Sequence, residues 1–146
     1  MKVADAMSRD VCTARPDNTI CEAACLMSEI DAGSIPVEEN DRLIGMITDR
    51  DIAVRAVASG KGPDTPVRDV MTAEVKYCYE DEDLKHVADN MGELRVRRLP
   101  VMSREKRLVG ILSIGDIAHT KEKRVTGKAL SDITERGGPH SQSVAA

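Results

Sequence analysis

The sequence predicts an α/β (α+β) fold made of two tandem βαββα units that share a core. Three observations predict it. The first is an internal repeat. Sliding the chain along itself sets Val3-Ala4-Asp5-Ala6-Met7 on Val67-Arg68-Asp69-Val70-Met71, and Ile35-Pro36-Val37 on Leu99-Pro100-Val101. After a one-residue slip, Leu43-Ile44-Gly45-Met46-Ile47-Thr48-Asp49-Arg50-Asp51 falls on Leu108-Val109-Gly110-Ile111-Leu112-Ser113-Ile114-Gly115-Asp116. The second is apolar spacing of helical period in both copies. The third is a pair of short apolar runs after each helix, split by polar residues as in a hairpin. A unit of about 60 residues is marginal alone, which is why a shared core is expected.

Residues 19–30 read as the first helix, with Ile20, Ala23, Ala24, Met27 and Ile30 on one stripe. Thr19 and Glu22 have capping-box spacing, in which hydroxyl and carboxylate satisfy N–H groups at the helix start. The second copy carries Leu84, Val87, Ala88, Met91 and Leu94 on the same stripe, with Asp83 as N-cap. Met27 and Met91 therefore read as core. Ser34-Ile35-Pro36-Val37 and Arg98-Leu99-Pro100-Val101 read as strands, and their proline suits an edge strand or a strand start. Glu38 to Arg42 and Ser103 to Arg107 are the turns; Leu43–Ile47 and Leu108–Leu112 are the returning strands. A further helix runs from Asp49 to about Ser59, and Gly60 stands where a helix end favours positive φ. The expected organisation is unit 1 at 1–60, a turn-rich linker at 61–66, unit 2 at 67–120 and a tail at 121–146. In the tail, Val125 to Glu135 reads as a short helix with Leu130 and Ile133 inward, and disorder is expected from Gly137.

Composition removes several function classes. The net charge is −4 with acids and bases interspersed, which argues against a nucleic-acid groove. Phe and Trp are absent and Tyr77 and Tyr79 are the only aromatics, so base-stacking platforms are not expected. No stretch approaches the ~20 apolar residues of a membrane span. The start lacks the layout of a signal peptide. A cytoplasmic protein is expected, with Cys12, Cys21, Cys25 and Cys78 kept as thiols rather than in a disulfide framework. There is no Gly-x-x-x-x-Gly-Lys, no Gly-x-Ser-x-Gly and no metal-ligand set, so neither an enzyme nor a metal site is expected.

The repeated hairpin and the motif Gly-hydrophobic-x-Thr/Ser-x-x-Asp resemble the cystathionine-β-synthase (CBS) domain family. The motif stands as Gly45-Met46-Ile47-Thr48-Asp49-Arg50-Asp51 and as Gly110-Ile111-Leu112-Ser113-Ile114-Gly115-Asp116, each behind a proline-valine strand. The resemblance covers residues 1 to about 120. It implies a pseudo-two-fold pair of units, or Bateman module, with a cleft on each side that takes AMP, ADP, ATP, NAD or another adenosyl ligand. It also implies a flat, disc-shaped homodimer that regulates a partner protein. In layout the chain looks like short stand-alone bacterial two-unit proteins, some linked to stress or hypoxia. By resemblance, Ile35-Pro36 and Leu99-Pro100 line the adenine slots. Backbone around Thr13 and Arg15, and around Tyr77 and Tyr79, completes each cleft.

The motif's chemistry is legible without the family. Thr48 and Ser113 each end a strand and open a helix, where unpaired N–H groups attract phosphate. Asp51 and Asp116, one turn on, accept hydrogen bonds only and suit a ribose diol. Gly45 and Gly110 permit close approach of backbone or ligand. Arg50 offers charge to phosphates but aligns with Gly115, so the two sites should differ. The same Thr-x-x-Asp and Ser-x-x-Asp pairs are loose capping boxes, and spacing alone favours that role. The roles coexist where a cap exchanges its partner for a phosphate.

Other residues carry less. Cys21 and Cys25 lie four apart on a solvated helix face and read as spectator thiols, with metal binding or redox sensing as alternatives. His86, His119 and His140 have no evident nucleophile or carboxylate beside them. Arg97-Arg98 would salt-bridge across a dimer or offer charge to phosphates, the first being favoured. Glu80-Asp81-Glu82-Asp83 reads as a solvated loop ahead of a helix start. Two functions remain: an adenosyl-ligand sensor, and a ligand-free dimeric scaffold whose capping motifs only stabilise the fold.

Overall fold

The computed structural model of the chain describes residues 1–122 and 124–135. The disorder expected from Gly137, and His140, lie outside the described residues. The chain forms two compact units. One is Cys12–Val75; the other joins Met1–Val11 to the chain from Lys76 onward.

In Cys12–Val75 the elements are α1 (Ile20–Ile30), β1 (Ser34–Glu39), β2 (Arg42–Thr48) and α2 (Asp49–Asp51). The last continues as a π-helical turn (Ile52–Ala56) and a 3-10 turn (Val57–Ser59), closed by Gly60 at φ 79°. β1 and β2 are antiparallel, with Ile35 opposite Ile47, Pro36 opposite Met46 and Val37 opposite Gly45. Asn40 and Asp41 take positive φ in the hairpin turn, a conformation these two residue types tolerate. Thr19 caps α1 by accepting from the Glu22 N–H. The expected reciprocal half of that box does not form: the Glu22 carboxylate accepts from Asn18 Nδ2 at 2.9 Å instead.

The other unit has β3 (Cys78–Tyr79), α3 (Leu84–Leu94), β4 (Arg98–Met102), β5 (Leu108–Ser113), α4 (Ile114–Ala118) and α5 (Arg124–Ile133). β4 lies between β3, parallel to it, and β5, antiparallel. Asp83 caps α3 through the His86 N–H, as its sequence predicts.

The compact units are offset from the sequence repeats at 1–60 and 67–120. The leading segment of each repeat packs in the unit that holds the body of the other. Val3 and Met7 join Leu84, Met91, Leu112 and Ile117 in one core; Val67 and Val70 join Ile20, Ile35 and Ile47 in the other. Backbone pairing holds each segment in place: Ser8 exchanges two bonds with Ile111, and Thr72 exchanges two with Met46, all 2.9 Å.

This exchange explains the glycines of the motif. A Cβ at Gly45 would stand 2.7 Å from Met71 Sδ and 2.9 Å from the Thr72 carbonyl oxygen. One at Gly110 would stand 2.6 Å from Met7 Sδ and 2.9 Å from the Ser8 carbonyl oxygen. Both glycines admit a neighbouring backbone, the first of the two approaches their presence allows.

Four expectations need correction. Pro100 lies in the central strand of its sheet rather than at an edge. It is tolerated because β3 pairs only with Val101 and Met102, so no ladder bond is asked of the missing N–H. In Cys12–Val75 the first strand shrinks to a single parallel bridge, Ala14 with Val37. Ala24, Ile30 and Leu94 are exposed, because the cores cover only part of each helix stripe. Leu130 points outward, 46% exposed, while Ala129 and Ile133 are buried. The reason is helix phase: α5 lies so close to α3 that a Cβ on Gly92 would stand 3.2 Å from Ala129 Cα, which fixes 129 and 133 as the buried stripe.

Candidate functional site

Each sheet delivers a strand end directly into a helix start, and the two capping residues share one backbone conformation. Thr48 sits at φ −118°, ψ 160°, and Ser113 at φ −117°, ψ 160°. At the first, Thr48 Oγ1 accepts from the Asp51 N–H at 2.9 Å, and Asp51 Oδ2 accepts from the Thr48 N–H at 3.0 Å. At the second, Ser113 Oγ accepts from the Asp116 N–H at 3.0 Å and Asp116 Oδ2 accepts from the Ser113 N–H at 2.9 Å. Both are complete capping boxes. Each uses one carboxylate oxygen. Asp51 Oδ1 lies 4.0 Å from Arg55 Nε, and Asp116 makes no other side-chain hydrogen bond among the described residues.

The surroundings of the two junctions differ. Beside the first, Ile35 and Pro36 are buried in β1, Arg50 is exposed on α2, and Ser34 pairs in register with Thr48. The Ser34 hydroxyl is buried without a hydrogen-bond partner. The backbone between Thr13 and Arg15 pairs with β1, Ala14 donating to the Pro36 carbonyl and accepting from the Glu38 N–H. The Thr13 and Arg15 side chains line a hollow of ≈ 370 Å³ with Asn18, Glu38, Asn40 and Asp41, where Thr13 Oγ1 donates to Glu38 Oε1 at 3.0 Å.

Beside the second junction, Leu99 and Pro100 are buried in β4, and a groove of ≈ 450 Å³ is lined by Arg97, Arg98, Ser113, Ile114, Gly115 and Leu130. Two guanidinium-bearing residues therefore flank the Ser113 end. Comparing Arg50 with Gly115 alone misses this. The cation has moved from the helix start to the preceding strand, where Arg97 and Arg98 align with Gly33 and Ser34. Reading both sides of the junction, rather than one column of the repeat, would have found it.

Tyr77 and Tyr79 are brought together, but with other partners. Their rings meet edge-on at 5.6 Å between centroids. Lys106 Nζ donates to Tyr77 Oη at 3.0 Å and to Tyr79 Oη at 2.6 Å. The Arg104 guanidinium stacks 4.0 Å above the Tyr79 ring and binds both oxygens of Asp81. The bond from Lys106 holds the Tyr77 phenol below its ordinary pKa. Lys106→Met is expected to move the earlier phase of the tyrosinate absorbance titration upward in pH. With two tyrosines and no tryptophan in the chain, that signal is unobscured, and an unchanged curve would contradict the assignment.

Among the described residues no cluster of three or more His, Cys, Asp and Glu side chains could hold a metal ion. No helix of the described residues is long and apolar enough to cross a membrane.

Comparisons agree with the twofold pattern. The family profile of the CBS domain matches residues 3–57 and 67–122. The CBS domain-containing protein YhcV of Bacillus subtilis is 39% identical over 92% of this chain and 96% of its own. The crystal structure of Hypoxic Response Protein I with two coordinated zinc ions superposes with a TM-score of 0.74 at 35% identity, covering 82% of this chain and 99% of that one. The CBS domain pair of protein MJ0100, solved in complex with 5-methylthioadenosine and S-adenosyl-L-methionine, superposes with a TM-score of 0.72 at 31% identity, covering 87% and 96%. With a profile match over each repeat and a relative aligned along almost its whole length, the chain belongs to the CBS-domain family and carries two CBS domains.

Proposed function

We propose that this CBS pair is a non-catalytic regulatory sensor of the cytoplasm that binds an adenosyl ligand at the Thr48–Asp51 and Ser113–Asp116 junctions. The ligand is an adenine nucleotide (AMP, ADP or ATP) or a relative such as NAD. One observation carries the reading: both junctions hold a hydroxyl and an acceptor-only carboxylate at a helix start, and the cap occupies only one carboxylate oxygen. The other oxygen is available to a ribose diol. The partnerless Ser34 hydroxyl beside Thr48 adds a polar group with no internal partner. The MJ0100 complex supports the adenosyl class. Arg97 and Arg98 favour a phosphate-bearing ligand at the second junction, since two guanidiniums repel a sulfonium cation.

Calorimetric titration with AMP and ATP tests the reading. A hydrogen bond to a charged group contributes about 1.5–3 kcal/mol. Asp51→Ala and Asp116→Ala should each weaken binding at their own junction by roughly ten- to a hundredfold. Arg97→Ala with Arg98→Ala should weaken ATP far more than adenosine. Absence of binding by both nucleotides at millimolar concentration would retire the sensor.

The completeness of both capping boxes favours a second reading, a ligand-free scaffold. It predicts a regulated partner protein whose capture ignores added nucleotide. Both readings include a homodimer: Val54 and Val57, 49% and 66% exposed, offer apolar surface that a second copy would cover.

A further inference from the structure

The thiols of α1 stand apart from the nucleotide reading. Cys21 and Cys25 are four residues apart on one helix and both are exposed. The proximity of Cys21, then slight burial and the Glu29 and Glu22 carboxylates, hold the Cys25 thiol above its ordinary pKa.

Helix geometry decides what such a pair can do. Side chains four apart hold their Cβ atoms about 5–6 Å from one another. A disulfide needs about 3.8 Å, so direct S–S closure would break the helical turn. One atom inserted between the sulfurs spans the longer gap without disturbing the backbone. Donor count narrows the choice of atom. A tetrahedral divalent cation needs four donors, and among the described residues no third His, Cys, Asp or Glu joins the two sulfurs in a metal-holding group. Trivalent arsenic takes two neutral thiols without building charge.

We propose that Cys21 and Cys25 form a dithiol that chelates a trivalent arsenical across one turn of α1. With phenylarsine oxide the step is an exchange at constant oxidation state. Two S–H bonds and the arsenic–oxygen bond break, two As–S bonds form, and both thiol protons leave with the oxygen as one water. The phenyl group fills the third valence, so no further ligand is required. The other cysteines do not compete as chelators. Cys12 lies outside this helix, and Cys78 is buried, with burial pushing its pKa up to about 12.

Phenylarsine oxide added to the full-length protein, followed by intact-mass measurement, tests this. The expected result is one phenylarsenic adduct per chain that survives a wash with 2-mercaptoethanol and is released by 2,3-dimercaptopropanol. Cys12→Ser should keep the adduct. Cys21→Ser and Cys25→Ser should each lose the wash-resistant form, with a far-ultraviolet circular dichroism spectrum unchanged from the parent. A wild-type adduct stripped by the monothiol, no adduct, or an adduct retained by either serine variant with intact helicity would overturn the assignment.

Discussion

Removing residues 2–10 is expected to abolish cooperative folding of the unit that carries α3 and β3 to β5. The segment looks dispensable from its position in the chain, yet Val3 is 0% exposed and Met7 8% exposed in that unit's core. Burial of two such side chains contributes about 3–6 kcal/mol, from about 1.5–3 kcal/mol each. Small domains are stable by only about 5–15 kcal/mol in all. The deletion also strips partners from backbone. Val3 and Ala4 donate to the Glu82 and Glu80 carbonyls, and Ser8 closes both of its bonds with Ile111. Both tyrosines lie in this unit, so their fluorescence and near-ultraviolet circular dichroism report on it alone. Urea titration should show the tyrosine transition lost or displaced to much lower denaturant. A truncated chain that kept the parent midpoint would show that the exchanged segment contributes nothing to this core.

Gly110→Ala should destabilise the same unit, and Gly45→Ala the other, each by about 1–3 kcal/mol. At Gly110 the added methyl meets Met7 Sδ at 2.6 Å and the Ser8 carbonyl oxygen at 2.9 Å. The thioether can swing aside, but the carbonyl cannot move without lengthening its own 2.9 Å bond from the Ile111 N–H. At Gly45 the corresponding atoms are Met71 Sδ at 2.7 Å and the Thr72 carbonyl oxygen at 2.9 Å. Gly127→Ala is the control. Nothing lies within 4 Å of its added methyl, and alanine favours the helix interior by about 1 kcal/mol, so α5 should gain stability. Denaturant midpoints at constant slope measure all three. If Gly110→Ala and Gly127→Ala moved the midpoint alike, close packing of the exchanged segment would not be the reason for glycine in the motif.

Much of the molecule was legible without coordinates. The stripes Ile20-Ala23-Met27 and Leu84-Val87-Ala88-Met91 name the buried helix faces, because 3.6-residue periodicity is a local property. Thr19, Asp83, Thr48 and Ser113 act as caps, since a cap needs only a side chain and a nearby N–H. Gly60 takes its positive φ for the same local reason. The misread positions involve distant partners. A proline in this run suits an edge strand or a strand start, and Pro100 occupies neither, because the sequence does not show how far β3 extends. Leu130 reads as inward from the sequence yet faces outward, since helix phase depends on which neighbour α5 meets.

Sequence alone therefore determined the duplicated architecture, the helix faces, the family and the hydroxyl–carboxylate pair at each strand–helix junction, all carried by short-range patterns. Tertiary structure alone decided that each repeat lends its leading segment to the other core, that glycine in the motif admits that segment, and that cationic residues flank the second junction from β4 instead of α4. Those outcomes depend on which backbone groups and side chains, far apart in the chain, find one another in space. No periodicity along the chain records that.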